Sequence, residues 1–134
     1  MRSGRIISKI IFEKPNKDSV FNFEKVCKRT HLDIASVNTA CLINLENNLI
    51  QNIHLSAGGV APYPKYLEKT CEYLKGKIIE SETLINAIAI MQKEVAPISD
   101  ARGTADYKRL LLRQLFLAHF SSSNILIEET LEKI

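Results

Sequence analysis

The spacing of apolar residues changes halfway along the chain. Val37, Thr39, Cys41, Ile43 and Leu45 fall on alternate positions, and Leu49, Gln51, Ile53 and Leu55 repeat that spacing after Glu46-Asn47-Asn48. A period of two is that of a half-buried strand, and asparagine tolerates the left-handed backbone of a hairpin turn. These two runs therefore predict an antiparallel hairpin. Upstream, Ile6, Ile7, Ile10, Ile11 and Phe12 form a β-branched run that stops before the turn-prone Lys14-Pro15-Asn16-Lys17-Asp18. This run predicts an opening strand, and the loosely alternating stretch from Val20 to Lys28 predicts another.

Beyond Gly58-Gly59 and the Pro62/Pro64 pair the period becomes helical. Leu67, Cys71 and Leu74 predict a helix stopped by Gly76. Ser81 can cap a second helix carrying Leu84, Ile88, Met91 and Val95, ended by Pro97. Thr104 can cap a third, with Asp106 in the first turn, where the helix dipole favours an acid. Leu111, Leu115 and Ala118 form one stripe of that helix. Leu110, Leu112, Phe116 and Leu117 widen it into an almost all-round apolar surface, which predicts burial on most sides. Ser121-Ser122-Ser123 then precedes a short acidic helix. Strands followed by helices, without alternation, predict an α+β fold: an antiparallel sheet of three to four strands with about three helices packed on one face.

The chain has 134 residues, of which 46% are hydrophobic and 25% charged, the make-up of one ordinary globular domain. No run approaches the roughly 18 apolar residues of a membrane helix, and no cleavage site follows the apolar N-terminal run. The expectation is a single domain over residues 1–134, cytoplasmic and without membrane contact. At this size the core needs neither metal nor disulfide.

Charge is unevenly placed within the net +3. Residues 1–29 hold eight Lys/Arg (Arg2, Arg5, Lys9, Lys14, Lys17, Lys25, Lys28, Arg29) against three acids (Glu13, Asp18, Glu24). Such an excess suits a phosphate-bearing partner, although most such charges form a solvated face. Nine aromatics, five Phe and four Tyr with no Trp, leave few stacking platforms, so nucleic-acid binding is not expected.

Little in the residues alone specifies catalysis. Three cysteines with no C-x-x-C and three histidines with no paired spacing argue against a disulfide framework and a zinc site. Cys41 and Cys71 lie on apolar stripes as packing residues. Cys27 has the basic neighbours Lys25, Lys28 and Arg29, but no Cys/His partner is identifiable, and no nucleophilic role follows. Asp33, Asp100 and Asp106 form no acid–base pair. Gly58-Gly59 lies between a strand and a helix, where a phosphate loop would sit. It lacks the third glycine of a dinucleotide fingerprint and the ending of a P-loop, so a tight turn that only glycine tolerates is the simpler reading.

Three further motifs occur in order. Phe23, Lys25, Arg29 and Asp33-Ile34-Ala35 form an F-x-K-x-x-x-R-x-x-x-D-I-A pattern, preceded by Gly4-Arg-Ile-Ile-Ser-Lys-Ile and followed by Val37-Asn38. Ala57-Gly58-Gly59-Val60-Ala61-Pro62 comes next, with Pro64 two residues on. Pro97-Ile-Ser-Asp100-Ala-Arg102-Gly-Thr-Ala105-Asp-Tyr107-Lys-Arg109 closes the series. From about Gly4 to Phe120 this order resembles the C-terminal domain of the FAD-binding subunit of molybdenum hydroxylases, the family of xanthine dehydrogenase and aerobic carbon monoxide dehydrogenase.

The resemblance implies the same α+β fold and a setting. In that family a preceding domain cradles FAD and the C-terminal domain closes over the flavin while electrons pass from molybdenum through 2Fe-2S clusters to FAD and on to an acceptor. It implies Lys25 as the residue that reaches the isoalloxazine, with Arg29 and Asp33 in the same cofactor-binding segment, orienting the loop. A cation there makes electrostatic sense, because a reduced ring gains negative charge. The flavin-cradling domain has no counterpart here, so this chain is expected to be non-catalytic by itself and to lack FAD unless joined to a flavin-binding domain or chain. Its other implied partners are molybdenum-binding and 2Fe-2S subunits. The alternative is an interaction module of the same fold that forms a homodimer and binds no flavin.

Overall fold

The computed structural model describes residues 6–12, 14–29 and 33–120. Its first three strands are β1 (Ser19–Val26), β2 (Val37–Glu46) and β3 (Leu49–Gly58), and a two-residue β4 (Lys65–Tyr66) completes them. All neighbours are antiparallel, in the order β1-β2-β3-β4. The helices α1 (Glu68–Leu74), α2 (Ser81–Glu94) and α3 (Ala105–Ala118) follow. This is the sheet-then-helices architecture that the change of period predicts.

The β2–β3 hairpin forms as predicted, and Asn47 and Asn48 turn it with φ of 51° and 64°. Its phase departs from strict alternation. Asn44 pairs with Asn52 but Leu45 with Ile50, so Gln51 is the extra residue of a bulge. Ile50 rather than Leu49 therefore enters the core, and Leu45 is exposed. A polar residue within the apolar register was the visible sign. The opening strand predicted over Ile6–Phe12 is not one: these residues form no strand, and their five large apolar side chains are 77–92% exposed. β-Propensity becomes a strand only through pairing, and this run pairs with none of the described strands.

One face of the sheet carries Val37, Cys41, Ile43, Ile53, Leu55 and Ala57, all buried, and the three helices cover that face. Leu67, Cys71 and Leu74 of the first helical segment, and Leu84, Ile88 and Met91 of α2, complete the core with α3. Gly76, at φ +75°, follows the first helix as expected. The cap of α2 is Glu80, and Ser81 is its first helical residue, one position later than the capping role expected for it. Thr104 does cap α3: its side-chain oxygen accepts the Tyr107 N–H at 3.1 Å.

Burial of α3 is more selective than its composition suggests. Leu112, Leu115, Phe116 and Leu117 are buried, Leu111 is half-buried and Leu110 is 44% exposed. Phe116 also meets Phe120 edge to face at 5.2 Å, so truncating it to Ala removes about 3–5 kcal/mol. The acidic helix predicted after Ser121-Ser122-Ser123 lies outside the described residues. No helix among the described residues is long and apolar enough to cross a membrane.

Candidate functional site

The three sequence motifs meet at one end of the sheet. The first ends β1 and forms its connection to β2, which the Ser36 N–H closes on the Val26 carbonyl at 2.8 Å. The second ends β3, beside β2. Gly59 has φ +81°, and a Cβ placed on it would lie 2.3 Å from the Ser36 carbonyl oxygen. Only glycine lets these backbones approach, which bears out the tight-turn reading of Gly58-Gly59. The third forms a turn in which Asp100 and Gly103 exchange backbone hydrogen bonds at 3.0 and 3.1 Å. It docks on the first motif twice: Lys28 Nζ donates to the Ala101 carbonyl at 2.7 Å, and Ser36 Oγ donates to the Arg102 carbonyl at 3.0 Å.

Lys25, Arg29 and Asp33 come together around the β1–β2 connection. Lys25 lies on β1 opposite Asn38, on the sheet face away from the helices, and is exposed. Its Nζ donates to the Asp33 carbonyl at 2.8 Å. The Asp33 carboxylate accepts from the Arg29 N–H at 3.1 Å and the Ile34 N–H at 3.0 Å, and it pairs with the Arg29 guanidinium at 3.4 Å. Desolvation opposes ionisation of Asp33, but the Arg29 hydrogen bonds and charge, with the Ile34 N–H, outweigh it and hold the carboxyl below its ordinary range. Asp33 belongs to this connection, since β2 begins at Val37.

On the same outward face, Phe21 pairs with Leu42 and Phe23 with Ala40. Phe21 and Phe23 are 64% and 52% exposed, and Tyr66 adds a third exposed ring across the sheet. Lys25 thus continues a row of two aromatics along one strand.

Beneath the turn lies Lys108, 2% exposed, with Nζ 2.8 Å from the Asp100 carboxylate and 2.9 Å from the Ile98 carbonyl. The hydrogen bond from Lys108, followed by the Arg102 N–H, keeps the Asp100 carboxyl low against partial desolvation. Sequence reasoning passed over Lys108. The available signal was its position four residues before Leu112 and seven before Leu115, a cation on the buried stripe. Cys41 and Cys71 are buried, and burial together with the neighbouring thiol pushes Cys41 up to about 12. Both are packing residues. Cys27 is half-buried, and its Sγ donates to the Arg29 carbonyl at 3.0 Å.

A fold of this kind, with its three motifs gathered at one sheet end, defines a flavoprotein-type domain. The family model of the CO dehydrogenase flavoprotein C-terminal domain matches residues 23–122, and the chain belongs to that family. It is 35% identical over 125 residues to the xanthine dehydrogenase of Blastobotrys adeninivorans, covering 87% of this chain and 9% of that protein. It is 30% identical over 129 residues to the nicotinate hydroxylase of Emericella nidulans, covering 91% and 10%. The carbon monoxide dehydrogenase medium chain of Afipia carboxidovorans is 26% identical over 105 residues, 78% of this chain and 36% of that one. Among solved structures, carbon monoxide dehydrogenase of Hydrogenophaga pseudoflava superposes with a TM-score of 0.70 at 25% identity, over 75% of this chain and 35% of that chain. The chain thus spans about a tenth of the first two relatives and about a third of the medium chain.

Proposed function

We propose that the chain acts as the non-catalytic C-terminal domain of the FAD-binding subunit of a xanthine dehydrogenase-like molybdenum hydroxylase. It closes over a flavin held mainly by another domain or chain. The observation that carries this reading is Lys25: an exposed ammonium at the end of the Phe21–Phe23 row, tethered through one hydrogen bond to the Asp33 carbonyl. An ammonium has three donors, so Lys25 keeps two for a ligand. A cation with free donors beside an apolar row fits the electron-rich edge of an isoalloxazine ring. Bound there, the flavin would supply the electron-carrying chemistry.

In this reading Lys25 faces the ring edge, while the Arg29–Asp33 pair holds the connection that tethers it. The Ile6–Phe12 run and the outward sheet face together expose eight large apolar side chains, counting Phe21, Phe23 and Tyr66 with the five of the run. Patches of that kind mark contact with another protein surface. The surface meant here is that of the flavin-binding partner, with molybdenum-binding and 2Fe-2S components further away in the same assembly.

Redox titration of the flavin in an assembly reconstituted from this chain and a flavin-binding partner tests the reading. Lys25→Ala is expected to weaken FAD binding and to lower the flavin potential, with Lys25→Arg restoring part of both. Equal affinity and an unchanged potential in Lys25→Ala would sink it. The same exposed patches also suit self-association. A stable dimer by light scattering that Phe21→Ser and Phe23→Ser dissolve, together with no effect of Lys25, would favour a dimerisation module without flavin.

A further inference from the structure

The two sides of the sheet are finished differently. On the β3 side, β4 pairs with Ser56 and Ala57, and near the other end of β3 the Ile50 carbonyl accepts the Gly76 N–H at 2.8 Å while the Ile50 N–H donates to the Lys77 carbonyl at 2.9 Å. On the other side β1 is open along its whole length among the described residues. It contains no proline, and its register with β2 runs without a break from Ser19↔Asn44 to Val26↔Val37. A long, regular edge of this kind is a template for a further strand. We infer that β1 pairs antiparallel with β1 of a second copy of this chain about a twofold axis at Phe23, joining two four-stranded sheets into one.

The backbone sets which registers are possible. The Val26 carbonyl faces β2, where it accepts the Ser36 N–H at 2.8 Å. Backbone groups alternate sides along an antiparallel strand, so those of Val20, Asn22 and Glu24 also face β2, and those of Ser19, Phe21, Phe23 and Lys25 face the open edge. The Ser19 N–H agrees, because it turns away from β2 to the Asn16 carbonyl at 3.2 Å. Two copies can therefore bond only through these four residues, and a pair centred on Phe23 meets that condition.

The side chains select among the allowed registers. Centred on Phe23, the outward face sets Phe23 against Phe23 and Phe21 against Lys25, an aromatic pair flanked by two ammonium–ring contacts. The face towards the helices sets Asn22 against Glu24 and Val20 against Val26, an amide with a carboxylate and two apolar branched chains. No like charges oppose each other, and the exposed Val20, Phe21 and Phe23 all gain cover. The neighbouring registers are poorer. Centring on Glu24 sets two carboxylates face to face, and centring on Asn22 sets Val20 against Glu24.

Sedimentation equilibrium of the full chain without flavin should show a reversible monomer–dimer equilibrium. Hydrogen exchange of the unaltered chain locates the contact. At dimer concentrations the Phe21, Phe23 and Lys25 amides should exchange at least about tenfold more slowly than after dilution, while those of Asn22 and Glu24, which face β2, should not change. Phe23→Pro removes a donor from the open edge and none from the β2 ladder, so it should abolish the dimer. A chain that stays monomeric overturns the proposal. So does a dimer whose Phe21, Phe23 and Lys25 amides exchange freely, as contact through the outward faces would give. Protection of those amides at every concentration, or a dimer that survives Phe23→Pro, overturns it too. The contact joins strand edges and leaves the outward face open, and no flavin enters the test, so its failure is separate from failure of the Lys25 reading.

Discussion

Gly59 and Ser36 are in backbone contact so close that a methyl group on Gly59 would lie 2.3 Å from the Ser36 carbonyl oxygen. This approach joins the second motif to the first and fixes the end of the connection that carries Asp33 and Ile34.

Gly59→Ala should therefore cost about 3 kcal/mol, from the left-handed φ and the backbone clash together. Gly76 has a similar φ but open space around it, so Gly76→Ala should cost only about 1 kcal/mol. Urea denaturation of both variants checks the contrast. Equal losses would mean that the Ser36 contact contributes nothing.

Lys108→Met should destabilise the chain by about 2 kcal/mol. The figure is smaller than for a fully buried pair, because the Asp100 side chain it leaves is 31% exposed and can regain water. The Asp100–Gly103 turn should loosen too, seen as faster hydrogen exchange of the Arg102 and Gly103 amides. Unchanged exchange would show that the turn holds itself.

Glu94, at the end of α2, supplies what α1 lacks at its own start. Leu67 offers no side-chain cap, and the Glu94 carboxylate accepts the Lys69 and Thr70 N–H groups at 2.9 and 2.8 Å. Glu94→Ala should cost about 1–2 kcal/mol, and Glu94→Gln less, because an amide oxygen can still accept. Thermal melts of the two variants test this order.

His119 gives the fold a pH dependence near neutrality. Its Nε2 lies 2.8 Å from Thr39 Oγ1, while Nδ1 is buried with no partner among the described residues. Burial pushes the imidazole below its ordinary 6.5, against the charge of Glu24. The unfolded chain thus takes up a proton that the folded chain resists. Stability is full above about pH 6.5 and declines as pH falls below it. Asp33 and Asp100, held below 3.8, contribute stability that is lost only at still lower pH. The melting temperature should fall between pH 7.5 and 5, and fall less in His119→Gln. Parallel slopes would remove His119 as the cause.

Much of the fold was legible because it is local. The Asn47-Asn48 turn, the Thr104 cap and the helical stripes of α1 and α2 each depend on residues a few positions apart. The Gln51 bulge shifted the phase of β3, a point where strict alternation misled. The Ile6–Phe12 run misled for another reason: its β-propensity is real, but it pairs with no described strand.

The sequence by itself determined the order of elements, the apolar face of the hairpin and the presence of three motifs, since backbone preference and hydrophobic period act over short spans. Only the tertiary structure decided that those motifs meet, that Lys108 is buried against Asp100, and that Lys28 reaches the Ala101 carbonyl. Contacts between residues up to 80 positions apart, such as Thr39 with His119, follow from how helices settle on a twisted sheet. No local pattern encodes that placement.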